Sequence, residues 1–334
     1  TNVVYFLYAI WQWSMEARVM SAADDRALTM VRERFWDICQ GWSQPLSVLA
    51  DRLIKRVAPP SWTLEWLLPR WVGAPLGLDE TTTVDLMLAN VFGLGYIRLQ
   101  DDLADGDVER MALPATVCLG ALLYQEWTAL YRRHFMATSP FWTHFSRYQL
   151  QWIEATLHSN QWASADCAAL GDDDLLRLAA RGAPLKIGCV GACLLAGREE
   201  MIDPLTSAID HLLAAMVLVD HAADWADDLA AGRYNAFVHY VSSLAQTPEH
   251  REINHQRVME EIFLGDAGRP YFGLAQRAVQ QAIRLAEPMA GRELLDHLHW
   301  FEGEVVAQGE GLADQARAAL RRATQQIFGV ADAP

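Results

Sequence analysis

Basic residues are scarce in this chain: 27 Lys and Arg stand against 42 Asp and Glu over 334 residues, a formal net charge of −15. They are also dispersed, which excludes the clustered cationic footprint that nucleic acid or an anionic membrane surface requires. The five cysteines (Cys39, Cys118, Cys167, Cys189 and Cys193) are odd in number, lie in apolar stretches and form no CxxC pair. A disulfide framework is therefore not expected, and a reducing cytoplasm fits. Strand-like Val/Thr alternation is almost absent, and there is no internal repeat. No uninterrupted apolar run approaches the roughly 18 residues that span a bilayer. The longest, Ile187–Gly197 and Leu212–Val219, predict buried core helices. At the start, Thr1-Asn2-Val3-Val4 carries neither an initiator Met nor a basic segment ahead of Tyr5–Trp11, so the expectation is a trimmed terminus rather than a signal peptide.

What is present is helical. Hydrophobic residues make up 52% of the chain and recur at helical spacing nearly throughout. Gly and Pro punctuation predicts helices over Val3–Met20, Asp24–Val57, Thr82–Gln100, Met111–Met136, Phe141–Gln161, Asp172–Gly197 and Asp203–Ala230, with more up to Phe328. The turns between them are too short to be interdomain linkers, so one all-α domain is expected. Gly182-Ala183-Pro184, followed by Gly188 and Gly191, predicts a kink.

Two segments are apolar on nearly every face, as helices at the centre of a bundle are. They are Val84–Gln100 and Leu212–Val219, and each runs directly into acid. The first continues as Asp101-Asp102-Leu103-Ala104-Asp105. At about 100° per residue, Asp101 and Asp105 lie one turn apart on one face. The second continues through Asp220, Asp224 and Asp228, which climb a single stripe. Carboxylates so crowded repel one another unless cations lie between them. Hard oxygen donors suit Mg²⁺, which takes one or two carboxylates and shares phosphate oxygens of a substrate. Two such stripes facing one another across an apolar cavity would bind a diphosphate and neutralise the charge that develops as it leaves.

These motifs carry a resemblance. Val91–Asp107, VFGLGYIRLQDDLADGD, is similar to the first aspartate-rich motif of the trans-isoprenyl diphosphate synthase and class I terpene synthase superfamily. Met216–Asn235, MVLVDHAADWADDLAAGRYN, resembles the second, with Gly232-Arg233 where synthases often carry Gly-Lys. Ala183–Ala192 resembles the family's Lys-Thr helix, with Lys186 as the diphosphate-binding Lys and Ile187 in place of the Thr. The resemblance implies an isoprenoid synthase bundle with its catalytic core at about residues 84–235. It further implies three Mg²⁺ ions held by Asp101, Asp102, Asp105, Asp220, Asp224 and Asp228, an isoprenyl diphosphate substrate, and a homodimer.

Departures separate the subfamilies. Chain-elongating synthases carry a Gly-Gly-Lys-x-x-Arg segment and an Arg-Arg-Gly that hold isopentenyl diphosphate; here only Lys55-Arg56 and Arg110 occur. The Asn/Asp-Ser/Thr-Glu triad usual in bacterial and plant terpene synthases is missing too. The pattern most resembles class IB terpene synthases, which act on one long isoprenyl diphosphate of C15 to C25 or more. A chain-elongating prenyltransferase is the alternative enzyme, and a helical scaffold the alternative without catalysis.

Secondary candidates follow from position. Phe92 and Tyr96 precede Asp101 on nearly the same face, and Trp225 lies inside the second motif; aromatic faces there would stabilise a carbocation. Arg181, Arg233 and Tyr234 join Lys186 as candidates for holding diphosphate. A di-iron bundle needs two Glu-x-x-His helices, and only Glu252-Ile253-Asn254-His255 is found. His297 and His299 with Glu302 and Glu304 read more simply as a polar helical face.

Overall fold

The computed structural model describes residues 20–104, 106, 108, 110–158, 170–244 and 254–328. The expected helix Val3–Met20 lies outside them except for its last residue. Among the described residues the regular elements are helices without a strand, so the chain is all-α as expected.

The long segment expected at Asp24–Val57 is two helices, α1 (Ala22–Gln40) and α2 (Gln44–Arg56). The break has a local cause: Gly41 caps α1, and Pro45 at the start of α2 has no N–H for a continuous helix. α3 (Thr63–Gly73) was not expected. It follows as a short buried helix whose Trp66 indole donates to the Val57 carbonyl at 2.6 Å.

α4 (Glu80–Ala104) is the first central helix, started by the Asp79 carboxylate accepting from the Thr82 N–H at 2.9 Å. From Thr83 to Gly93 every residue is buried. Asp85 in that run is tolerated because Arg34 and His134 both reach it. α5 (Leu113–Arg132) returns along α4, and α6 (Phe141–His158) follows.

The next stretch divides into α7 (Asp172–Ala179), a 3-10 segment (Ala180–Leu185) and α8 (Lys186–Leu195). The break falls at the predicted kink, where Pro184 removes a backbone donor. α9 (Ile202–Ala231) is the second central helix. The 3-10 segment and α8 pack against both α4 and α9 and bridge them. α10 (Ala236–Ser243), α11 (His255–Phe263), α12 (Gly268–Ala286) and α13 (Arg292–Phe328) close the other side, with α12 lying along α9. One hydrophobic core joins residues from α1 through α13.

Residues 172–195 and 199–231 reach mean hydropathies of 1.4 and 1.5 and are long and apolar enough to cross a membrane, once a few charged residues are tolerated. Within the bundle, 67% and 61% of these windows are buried, so they also meet the requirement of core helices.

Candidate functional site

The second acidic stripe is held by the corner between α9 and α10. Gly232 ends α9 in the left-handed region (φ 68°), which a side chain would strain. The chain thereby turns back so that the Arg233 guanidinium donates to Asp228 Oδ1 at 2.9 Å. Asn235 caps α10 through Phe237 and Val238 N–H, and its amide donates to Asp228 Oδ2 and to the His221 carbonyl, both at 2.8 Å. His221 Nδ1 accepts from the Ala236 N–H at 2.9 Å, and burial pushes the imidazole down to about 4. A neutral His221 is thus built into the corner.

Above this corner, Asp220 and Asp224 have no such partners among the described residues. Water reaches Asp220, yet burial is the first cause that raises its carboxyl to about 6, with Asp224 and Asp228 adding to it. An acid that is wetted and still desolvated lies in a concavity. Asp224 is raised as well, by burial, then by Asp228 and Asp227, with Arg233 opposing. Two guanidiniums from other elements pull Asp220 the other way: Arg181 of the 3-10 segment and Arg98 of α4.

Arg98 ties the two stripes together. It lies 3.4 Å from Asp102, which is buried and also receives a bidentate pair from Arg56 of α2 at 2.8 and 3.1 Å. The ends of α4 and α9 therefore share one electrostatic neighbourhood, with Asp101 half-buried beside Asp102. Asp105 lies outside the described residues.

Other candidates are placed elsewhere. Lys186, its side chain 4% exposed, is matched by Asp210 at 2.6 Å, by Gln151 at 3.3 Å and by the Tyr148 ring at 4.6 Å. Burial lowers its pKa while Asp210 raises it. Asp210 precedes Asp220 by ten residues, about 15 Å along α9. Lys186 instead lines a separate cavity of about 500 Å³ with Gln151, Glu154, Arg177 and Asp210, which contains none of the six aspartates. Phe92 is fully buried against Phe35 and Trp42. Trp225 is buried with its ring 4.9 Å from His255 of α11. Both are packing residues. Tyr96 stays half-buried among Tyr124, Trp127 and Trp152, and Tyr234 lies between the rings of His221 and His239. His297 is wedged between Trp71 and Trp300, a core position rather than a polar face.

Arg98, Arg56 and Tyr271 escaped the sequence reading as members of this neighbourhood. The Tyr271 hydroxyl is buried and has no hydrogen-bond partner among the described residues. Its charge environment includes Tyr234 and Asp220, and burial drives its pKa far up. Nothing local marks it, since Gly268-Arg269-Pro270-Tyr271 reads as an ordinary helix start.

Among the described residues no three His, Cys, Asp or Glu side chains converge as a preformed metal cage. Mg²⁺ does not demand one, because waters and substrate phosphate complete its shell. The donor set is all oxygen, and Asp220, Asp224 and Asp228 repel one another where a cation would relieve them, so these residues fit the ion. In comparison with known proteins, the chain matches no family model and no curated protein.

Proposed function

We propose that the chain is a class I terpene synthase, an enzyme that ionises one linear isoprenyl diphosphate of C15 to C25 or longer and releases pyrophosphate with a cyclic or linear terpene. The observation that carries this is Asp220: an acid raised to about 6 by burial first and by Asp224 and Asp228 after it, in a wetted concavity, with the charges of Arg181 and Arg98 opposing from two other elements. Anions and cations of that density suit a ligand that brings both a metal and a diphosphate. Asp220 and Asp224, together with Asp101 and Asp105, are the residues that would hold Mg²⁺. When bound, Mg²⁺ supplies neutralisation of the diphosphate charge as the allylic C–O bond breaks.

The protein's own groups then have separate tasks. Arg181, with no carboxylate within ion-pair distance among the described residues, holds the departing pyrophosphate through its planar fork. Arg98 and Arg56 hold the Asp102 carboxylate in place. Lys55 and Arg56, the basic pair nearest to an isopentenyl diphosphate site, are engaged by Asp51 and Asp102. That engagement favours the single-substrate enzyme over the elongating one. The unpaired thiols of Cys39, Cys118, Cys189 and Cys193 accord with a cytoplasmic setting.

The test is incubation with Mg²⁺ and farnesyl, geranylgeranyl or geranylfarnesyl diphosphate, each with and without isopentenyl diphosphate, followed by pyrophosphate assay and mass analysis of the extract. A hydrocarbon or alcohol formed without isopentenyl diphosphate is expected. Products made only with it, each a longer diphosphate, would overturn the proposal.

A further inference from the structure

Glu65 is a lone acid in the body of the bundle. It lies in the first turn of α3, between Leu64 and Trp66, which are buried. Among the described residues no Lys, Arg or His comes within ion-pair distance of its carboxylate. Burial pushes it up to about 7, and its own backbone amide is the one group that pulls it down. It is not sealed in, for part of the residue touches water.

Close contacts fix its level. A Cβ at Gly188 of α8 would lie 2.9 Å from Pro69 and 2.7 Å from Asn90 Oδ1, and one at Gly73 would lie 3.5 Å from Ala192. Pro69 thus pairs with Gly188 and Gly73 with Ala192, so α3 and α8 run parallel. Glu65, one turn before Pro69, stands level with the 3-10 break at Pro184. On α4 it stands level with Asn90, whose amide donates to the Glu65 carbonyl at 3.2 Å. Asn90 precedes Asp101 by eleven residues, about 16 Å along the helix. In the same break, Gly182 presses on Leu213 of α9, where a Cβ would lie 2.6 Å from Leu213 Cδ2. Leu213 is seven residues before Asp220, about 10 Å below it. Cα–Cβ bonds tilt toward a helix N-terminus, which in α3 is the end nearer the acidic stripes.

We propose that Glu65 is the catalytic base that ends the reaction, taking a proton from the hydrocarbon end of the substrate some 10–16 Å below the metal-binding acids. This rests on the reading that the chain ionises an isoprenyl diphosphate. The carbon–hydrogen bond next to the terminal carbocation breaks, its electron pair becomes the new C=C bond, and the proton passes to a Glu65 carboxylate oxygen. The carboxylic acid then returns the proton to water. Without a guanidinium or ammonium beside it, the carboxylate keeps its full basicity for that step. Such an acid costs stability and no structural pairing offsets it, the pattern expected where function retains a group.

The experiment compares the parent with Glu65→Gln under the Mg²⁺ conditions above, measuring pyrophosphate release and product distribution together, with thermal unfolding to verify folding. Pyrophosphate release within about threefold of the parent is expected, while the main alkene falls about tenfold or more in favour of alcohols or other double-bond isomers. Parent-like products from the folded variant would overturn the role of Glu65 and leave the ionisation reading standing. No Mg²⁺-dependent pyrophosphate release by the parent would overturn both. Should Glu65→Gln fail to fold, Glu65→Met, which matches its volume without the amide, is judged by the same product shift.

Discussion

The isolation of Glu65 has a consequence for stability that does not depend on any catalytic role. Its carboxyl rises from an ordinary 4.5 to about 7. At roughly 1.36 kcal/mol per unit, the ionised form costs the native state up to about 3 kcal/mol, or about 2 once partial access to water is allowed for. Between these two values the folded protein holds a proton that the unfolded chain has released. Stability from this group is therefore full below pH 4.5 and is lost as pH rises through about 7. A glutamine cannot ionise, so Glu65→Gln should lie within about 0.5 kcal/mol of the parent at pH 5 and exceed it by about 2 kcal/mol at pH 8. Urea unfolding at pH 5, 6.5 and 8, with equal m-values, measures the difference directly. Asp220 and Asp224 are also raised, but they are common to both proteins and cancel. A difference that stays constant with pH, or a variant less stable at pH 8, would refute the isolation and reveal a partner for the carboxylate.

Four further outcomes are expected. Asp220→Asn should stabilise the metal-free protein by up to about 1 kcal/mol at pH 8, since it removes a desolvated acid that is screened by water on one side, and should cut Mg²⁺-dependent pyrophosphate release by about a hundredfold or more; a loss of helicity by circular dichroism would make its role structural. Lys186→Ala should lower stability by about 2 kcal/mol in urea titrations by leaving Asp210 unmatched, with pyrophosphate affinity little changed; a large loss of that affinity would return Lys186 to the diphosphate site. Arg181→Ala should raise the inhibition constant of pyrophosphate in the presence of Mg²⁺ about tenfold or more, through loss of a charge-assisted fork. Asn235→Ala removes the cap of α10 together with bonds to Asp228 and the His221 carbonyl, and should cost about 2 kcal/mol or more; a thermal midpoint within a degree of the parent would contradict the corner as described.

Local pattern was enough to declare much of this molecule. Helical periodicity from Val84 to Gln100 and from Leu212 to Val219, apolar on all faces, required two central helices, and the spacing of Asp220, Asp224 and Asp228 required a stripe, because both are properties of one helix turn after another. The kink at Gly182-Ala183-Pro184 is equally local, since it needs only a missing N–H. Gly41 and Pro45 carried the break between α1 and α2 in the same way, although the hydrophobic repeat ran across it. The partners of each charge were decided only by the tertiary structure. Arg56 meets Asp102 across 46 positions of sequence and Lys186 meets Asp210 across 24, so the Lys that stood out in an apolar helix is neutralised away from the stripes while Arg98 and Arg181 attend Asp220. Glu65 shows the same limit from the other side: in α3 it looks like any acid in a first turn, favourable to the helix dipole. What makes it singular is that, among the described residues, the helices packed around it bring no cation within ion-pair distance, and the free energy of a charge is set by what surrounds it in space.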